Sequence, residues 1–495
     1  MNVFRTKSIE HALADAEDPE FKLKRSLTAI DLTVFGIGVI IGAGIFTLTG
    51  RVAQAYAGPA VVFSFVIAAA CCALAALCYA EFASTVPVSG SAYTFSYATL
   101  GELIAWIIGW DLILELLLGA SVVAQGWASY FETFLGEVGL GWPESLGYGD
   151  TFNLAAFLMV AVLTALVAYG IKESLRVNLA LVALKLFVVL FVIVAGIQFI
   201  DTDNYAPFVP PAAGGAGGTD SWLRTPLFQT VFGFEPQVYG ILGVVSAASL
   251  VFFAYIGFDV VATTAEEAKN PQKDLPRGII GSLAICTVLY MAVALVITGM
   301  VNYQDINPDA ALATAFIDQG RDGYATLISA GAVAGLTTVV MTLIIGAVRV
   351  LFAMSRDGLL PVAFAHVSPR TGTPLRITIT IGVLVALVAS LTPIGKLEEM
   401  VNIGTLAAFT LVSLAVPVLR KKRPDLPRAF QVPFSPWIPW LSAAVCVYLM
   451  LNLTAETWLR FLVWMALGFA IYFAYGYRSS RVGKGEGIPA PDYSA

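Results

Sequence analysis

Histidine and charge are what this 495-residue chain has least of. Its two histidines, His11 and His366, both sit in polar segments, so the apolar runs hold none. That removes HExxH zinc sites, paired haem ligands and histidine acid–base pairs from those runs. The five cysteines (71, 72, 78, 286 and 446) all lie in apolar stretches, which argues against a disulfide framework or a thiolate metal site. No metal and no cofactor is expected. Charged residues make up 13% of the chain, against about 25% in soluble proteins. No nucleic-acid partner is expected. The first 26 or so residues are polar, unlike a signal peptide. What is abundant is apolar surface. The chain is 58% hydrophobic with a mean hydropathy of +0.81, and apolar runs of about 20 residues recur, the length of a bilayer-crossing helix.

The fold class expected is an all-α polytopic membrane protein with twelve transmembrane helices, at about 27–49, 58–83, 101–131, 152–170, 177–200, 240–267, 278–301, 324–353, 376–392, 399–419, 437–454 and 459–477. The tract Gly214–Gly218 falls in the longest connection, 201–239, and reads as an irregular extramembrane loop. Lys and Arg give the orientation. With a cytoplasmic N-terminus, 22 of the 28 basic residues fall in inner segments and five in outer ones (Arg51, Arg224, Arg321, Lys396, Arg460). One, Lys185, lies inside a span. Both termini are expected in the cytoplasm and the chain in the cell (plasma) membrane.

Span 1 contains FGIGVIIGAGIFTLTG, with glycine at 36, 38, 42, 44 and 50. Unpaired backbone at membrane depth is tolerated only where protein buries it or it lines a watery cavity. Ile41–Gly44 is therefore either an opening in the helix or a tight packing surface, since Gly38 and Gly42 fit GxxxG. The spacing GxGxxxG, without a βαβ unit, is not a nucleotide loop. Span 6, SLVFFAYIGFDVVATTAEE, is interrupted by Gly257 and Asp259. Spans 1 and 6 run in opposite directions and each opens a set of five. Matching broken helices in two halves of opposite topology point to a transporter with inverted repeats.

Ionisable groups within spans cost at least ~2.5–3.5 kcal/mol on insertion scales. Asp111 and Glu115 in span 3 share one helix face. One of them can hold a proton near neutral pH, or Asp111 hydrogen-bonds a neighbouring helix while water reaches Glu115. Lys185 lies about eight residues into span 5. It can pair with a carboxylate, donate to freed carbonyls of span 1, or release a proton on burial. Asp259 can cap the restarted half of helix 6 or touch a substrate. Trp106, Trp110, Trp437 and Trp440 read as interface or packing residues. Phe253 and Phe258 flank the break in span 6.

The segments IIGAGIF (40–46), CYAEFASTVPVSGSAYTFSYATLGE (78–102), GWDLILE (109–115), FFAYIGFD (252–259), EEAKNPQKDLPRGI (266–279) and LFAMSRDGLLP (351–361) together resemble the amino acid–polyamine–organocation superfamily. The nearest branch is the bacterial relatives of the cationic amino acid transporters. The resemblance implies a LeuT-type fold of two inverted five-helix repeats plus two C-terminal helices. The parts expected are a cytoplasmic N-terminal segment 1–26, first repeat 27–200, extracellular loop 201–239, second repeat 240–419, cytoplasmic loop 420–436, helices 11 and 12 at 437–477, and a cytoplasmic tail 478–495. It also implies a substrate site at the two breaks, supported by Gly42, Gly257 and Asp259. The N–H groups of Ala43, Gly44 and Ile45 suit a substrate carboxylate. Carbonyls of Ile40, Phe253, Ala254 and Ile256 suit its ammonium, and Phe253, Ile256, Leu343 and Ile344 would face its side chain. By resemblance Lys185 occupies the sodium site of sodium-coupled relatives, and Glu115 matches the family's helix 3 glutamate, a proton carrier. Many relatives carry Thr or Ser where this chain has Ala43, and 339–346 offers no carboxylate for a basic side chain.

The expected activity is therefore proton-coupled symport of neutral, small or aliphatic L-amino acids by alternating access, with a sodium-independent amino acid or polyamine exchanger, including cationic amino acids, as the alternative. An enzyme is not expected, because Asp111 and Glu115 on one helix make poor geometry for two carboxylates acting across a bond. A channel would need repeated carbonyl or charged rings. The partners expected are the amino acid, protons and membrane lipid. A small single-span partner is left open, and the chain is expected to act as a monomer.

Overall fold

The computed structural model describes residues 5–6, 27–85, 91–143, 147, 152–170, 175–214, 222–234, 237–368 and 371–484. Most of 1–26, residues 215–218 of the glycine tract and the tail beyond 484 lie outside the described residues. Most of the described residues are helical. In chain order the helices used below are α1 (Ala29–Ile40), α2 (Val61–Thr85), α3 (Ser91–Thr99), α4 (Glu102–Glu137), α5 (Leu154–Ala168), α6 (Leu175–Gly196) and α7 (Gly240–Val251). They continue with α8 (Pro271–Met300), α9 (Ala311–Asp318), α10 (Asp322–Arg356), α11 (Leu375–Leu391), α12 (Ile394–Lys422), α13 (Trp437–Leu451) and α14 (Ala455–Ile471). Among the described residues eight helical stretches are long and apolar enough to cross a membrane, and α1, α5, α11 and α13 are shorter apolar helices.

Local chemistry starts these helices where the sequence allows. Thr28 and Asp31 form a reciprocal capping box at α1, with the Thr28 N–H donating to Asp31 Oδ2 at 2.9 Å. Asn153 caps α5 by accepting from the Ala156 N–H at 2.9 Å. Pro271 opens α8 at a position whose N–H has no helical acceptor anyway. The two longest helices, α4 and α10, pack along each other at the centre. Burial marks the layering: 89% of the most apolar stretch of α4 is inside the protein, against 22% for the stretch beginning with α14. Outward residues such as Leu158, Val194 and Val288 are apolar and exposed, as lipid contact requires. Trp106 and Trp110 pack inward and donate to the Gly468 and Trp464 carbonyls of α14 at 3.1 and 3.0 Å. Trp437 and Trp440 are exposed.

The described parts of the 201–239 connection, 201–214, 222–234 and 237–239, carry regular structure. They hold short helical turns and a two-stranded antiparallel pair, Ala213–Gly214 with Gln237–Val238. Their backbone finds partners on neighbouring elements: the Tyr239 N–H donates to Tyr56 O at 2.8 Å and the Leu227 N–H to Leu453 O at 2.9 Å. All five cysteines are buried and free.

Candidate functional site

α1 stops at Ile40. Ile41 leaves helical geometry (φ −71°, ψ 87°), and the chain resumes as a wide π-helical turn, Gly44–Leu48. A continuous helix would pair the Gly42 N–H with the Gly38 carbonyl. Here the Gly38 carbonyl instead accepts from Lys185 Nζ of α6 at 2.6 Å. The Ile40 carbonyl accepts from the Tyr290 hydroxyl of α8 at 2.7 Å. The N–H groups of Gly42, Ala43 and Gly44 have no acceptor among the described residues. They form the positive N-terminal end of the resumed helix. Gly36 and Gly38 are packing glycines, where an added Cβ would lie 2.5 Å from Ser282 Oγ and 2.4 Å from Val182 Cγ2.

The second break follows the same logic. α7 ends at Val251, a tight turn covers Phe252–Tyr255, Ile256 is extended (φ −59°, ψ 136°), and Gly257 takes φ +120°. That dihedral favours glycine. Helical turns restart at Asp259, whose carboxyl lies against the backbone N–H groups of Gly257, Val260 and its own residue. Asn402 of α12 satisfies the end of α7 by donating to the Ser249 and Leu250 carbonyls at 2.9 and 3.1 Å. The breaks touch. A Cβ on Gly44 would sit 2.2 Å from Ala254 Cα, and one on Gly257 would sit 2.7 Å from Val39 Cγ1.

Where they meet there is a cavity of ≈ 30 Å³, room for about two waters. Of the residues singled out in the sequence, Ile40, Gly42, Ala43 and Gly44 line it from the first break, and Phe253 and Ile256 from the second. Glu115 lines it from α4 and Leu343 from α10. Ile45, Ala254 and Ile344 are buried but lie outside this lining. So do Lys185, which sits behind α1, and the pair Gly257 and Asp259. Sequence reasoning missed Val39, Gly119, Val123, Val339 and Val401. Helical spacing held the signal for three of them. Gly119 and Val123 follow Glu115 at i+4 and i+8, and Val339 precedes Leu343 by four.

Glu115 is buried, with Oε1 unpartnered among the described residues and the Thr405 hydroxyl of α12 beside it. Asp111, one turn away, is also buried but outside the cavity lining, and neither carboxyl oxygen has a partner among the described residues. The Lys185 stem fits because Gly335 of α10 leaves space; a Cβ there would lie 2.7 Å from Lys185 Cγ. Arg51, beyond the first break, pairs with Glu398 at 3.1 Å, and Glu398 sits one turn from Val401 on α12. At the opposite end of the broken helices, Leu27 and Ala268 form a parallel bridge, with the Lys269 N–H donating to Leu27 O at 2.8 Å. Among the described residues no group of His, Cys, Asp and Glu could hold a metal. What the arrangement offers is exposed backbone donors, an aliphatic wall and one buried carboxyl.

A family model described as amino acid permease matches residues 27–473. The branched-chain amino acid permease BcaP of Bacillus subtilis is 48% identical over 492 residues, covering 98% of this chain and 99% of that protein. The methylthioribose transporter of Bacillus subtilis is 45% identical, covering 98% and 100%. More distant is the vacuolar cationic amino acid transporter 4 of Arabidopsis thaliana, 38% identical over 86% of this chain and 68% of that protein.

Proposed function

The chain belongs to the amino acid permease family, a family of multi-pass membrane transporters, and from that premise we propose that it is a proton-coupled symporter of neutral, small or aliphatic L-amino acids. It works by alternating access, with twelve spans, two inverted five-helix repeats of LeuT type, and both ends in the cytoplasm. The observation that carries the reading is the cavity where two unwound segments meet with Glu115 in its wall. The free N–H groups at Gly42, Ala43 and Gly44 receive the substrate carboxylate. Carbonyls of the two breaks receive its ammonium, and one lone pair of the Ile40 carbonyl is already taken by Tyr290. Val123, Val339, Leu343 and Val401 offer only aliphatic contact, which disfavours a charged substrate tail. At ≈ 30 Å³ the cavity holds waters rather than an amino acid, and it widens to admit one.

Glu115 carries the coupled proton. Buried against an apolar wall, its charged form is costly, so proton loss and gain follow access to one side or the other. The Lys185 ammonium fixed on the Gly38 carbonyl supports sodium independence. The alternative within the same fold is a sodium-independent exchanger, including exchange of cationic amino acids or polyamines. The 45% identical relative also favours testing methylthioribose as cargo.

The test is uptake of labelled alanine and leucine into sodium-free proteoliposomes, with and without an inward proton gradient. The competitor panel holds the common amino acids and methylthioribose. Uphill uptake that needs the gradient, competed by small and aliphatic amino acids, is expected. Arginine outcompeting alanine and leucine would overturn the substrate class. Uptake only into preloaded vesicles would overturn symport.

A further inference from the structure

We propose that Gly119, in the middle of α4, sets the largest substrate side chain the cavity accepts. This rests on the amino acid site described above. Glycine inside a helix destabilises it relative to alanine, so a glycine in mid-span needs a reason. The ordinary reason in a membrane is close approach of another helix. That reason accounts for other glycines here. A Cβ on Gly44 would strike the Ala254 backbone at 2.2 Å, and one on Gly126, two turns along α4, would meet Thr47 Cγ2 at 2.8 Å. Gly119 is different. The one heavy atom within 4 Å of its added Cβ is Leu343 Cδ1, at 3.7 Å, ordinary van der Waals distance. Nothing in the packing forbids alanine there.

Yet Gly119 lines the cavity, between Glu115 and Val123 on the same face of α4 and opposite Val339 and Leu343 of α10. The space an alanine methyl would take is the space between these walls. The geometry therefore assigns that space to the substrate side chain, which leaves the breaks and runs across α4 at Gly119 toward Leu343. A methyl at 119 shortens the gap, and removing the Leu343 isobutyl group reopens it from the other side.

Uptake of labelled alanine and labelled leucine is measured in proteoliposomes of the wild type, Gly119→Ala, Leu343→Ala and the double variant. The readout is the leucine-to-alanine ratio of kcat/KM. Gly119→Ala is expected to lower the ratio at least tenfold. Leu343→Ala is expected to raise phenylalanine competition, and the double variant to recover most of the lost leucine uptake. If the wild type transports both and Gly119→Ala leaves the ratio unchanged, this inference falls and the transport reading survives. Equal loss of both substrates, unrelieved in the double variant, overturns it too. A Gly119→Ala protein that fails to fold also overturns it, because packing would then be what demands the glycine. If the wild type takes up no amino acid, the underlying reading fails and this inference with it.

Discussion

Lys185 and Glu115 are two buried ionisable residues with opposite circumstances. The lysine is held: its ammonium donates to a carbonyl that the interrupted helix released, and Gly335 makes room for its stem. Lys185→Ala leaves the Gly38 carbonyl without that donor and opens a void. A loss of about 2–5 kcal/mol is expected, seen as a lower unfolding temperature of the purified protein in detergent. The glutamate is held loosely. One of its oxygens has no partner among the described residues, so an amide can replace it without breaking a strong pair. Glu115→Gln is expected to fold normally. It should cut gradient-driven accumulation more than tenfold while leaving counterflow exchange within a few-fold of the parent. Equal loss in the two assays would remove the coupling role. Sequence showed that both residues needed a reason to be in a span. It left three roles open for the lysine, because which carbonyl comes loose depends on where the helix stops.

At the scale of elements, the two broken segments act as one unit. Gly44 lies against the backbone of Ala254, so Gly44→Val must push the segments apart by more than an ångström. Alanine and leucine uptake are both expected to fall to background, with no change in their order of preference before the signal is lost. Retained uptake in vesicles would show that the contact is dispensable. The breaks were legible in the chain because glycine and a mid-span aspartate are costly in a membrane helix. The walls were less so. Gly119, Val123, Val339 and Val401 are residue types found in any packed span, and only the approach of α4 to both α10 and α12 makes them a surface. Helix ends also shifted. The first span was expected to end near 49, yet helical turns run on to Ala57, because no breaker intervenes before Gly58, which takes φ +59°.

On the scale of the whole molecule, buried charge at the membrane edge fastens distant parts of the chain. Arg420, at the end of α12, donates twice to Glu81 of α2, at 2.8 and 2.6 Å, and the Val432 N–H donates to the same carboxylate at 2.7 Å. Glu81 is 1% exposed. Removing one partner of a buried pair costs more than the pair contributes. Arg428 stays 3.8 Å from the same carboxylate and Arg420 is 27% exposed, so Arg420→Met is expected to destabilise the protein by about 1–3 kcal/mol in thermal unfolding, with the competitor ranking unchanged. A shifted ranking would tie this contact to the cavity. Apolar length made the membrane-spanning helices legible. The tethering of the described parts of the 201–239 connection was not, since their hydrogen bonds go to Tyr56, Leu453 and other groups far away in sequence.

The two glycines at the breaks are closed to drift for separate reasons. At 44 the obstacle is main chain, Ala254 Cα, so no compensating side-chain change elsewhere makes room. At 257 the dihedral itself excludes most other residues. The aliphatic walls carry neither restriction. With the substrate held at the bends as proposed, a lineage descending from this chain can exchange its cargo by substitution at 119, 123, 339, 343 and 401 without disturbing the bends themselves. Mutant libraries selected on different nutrients should diverge at those five positions and return glycine at the other two.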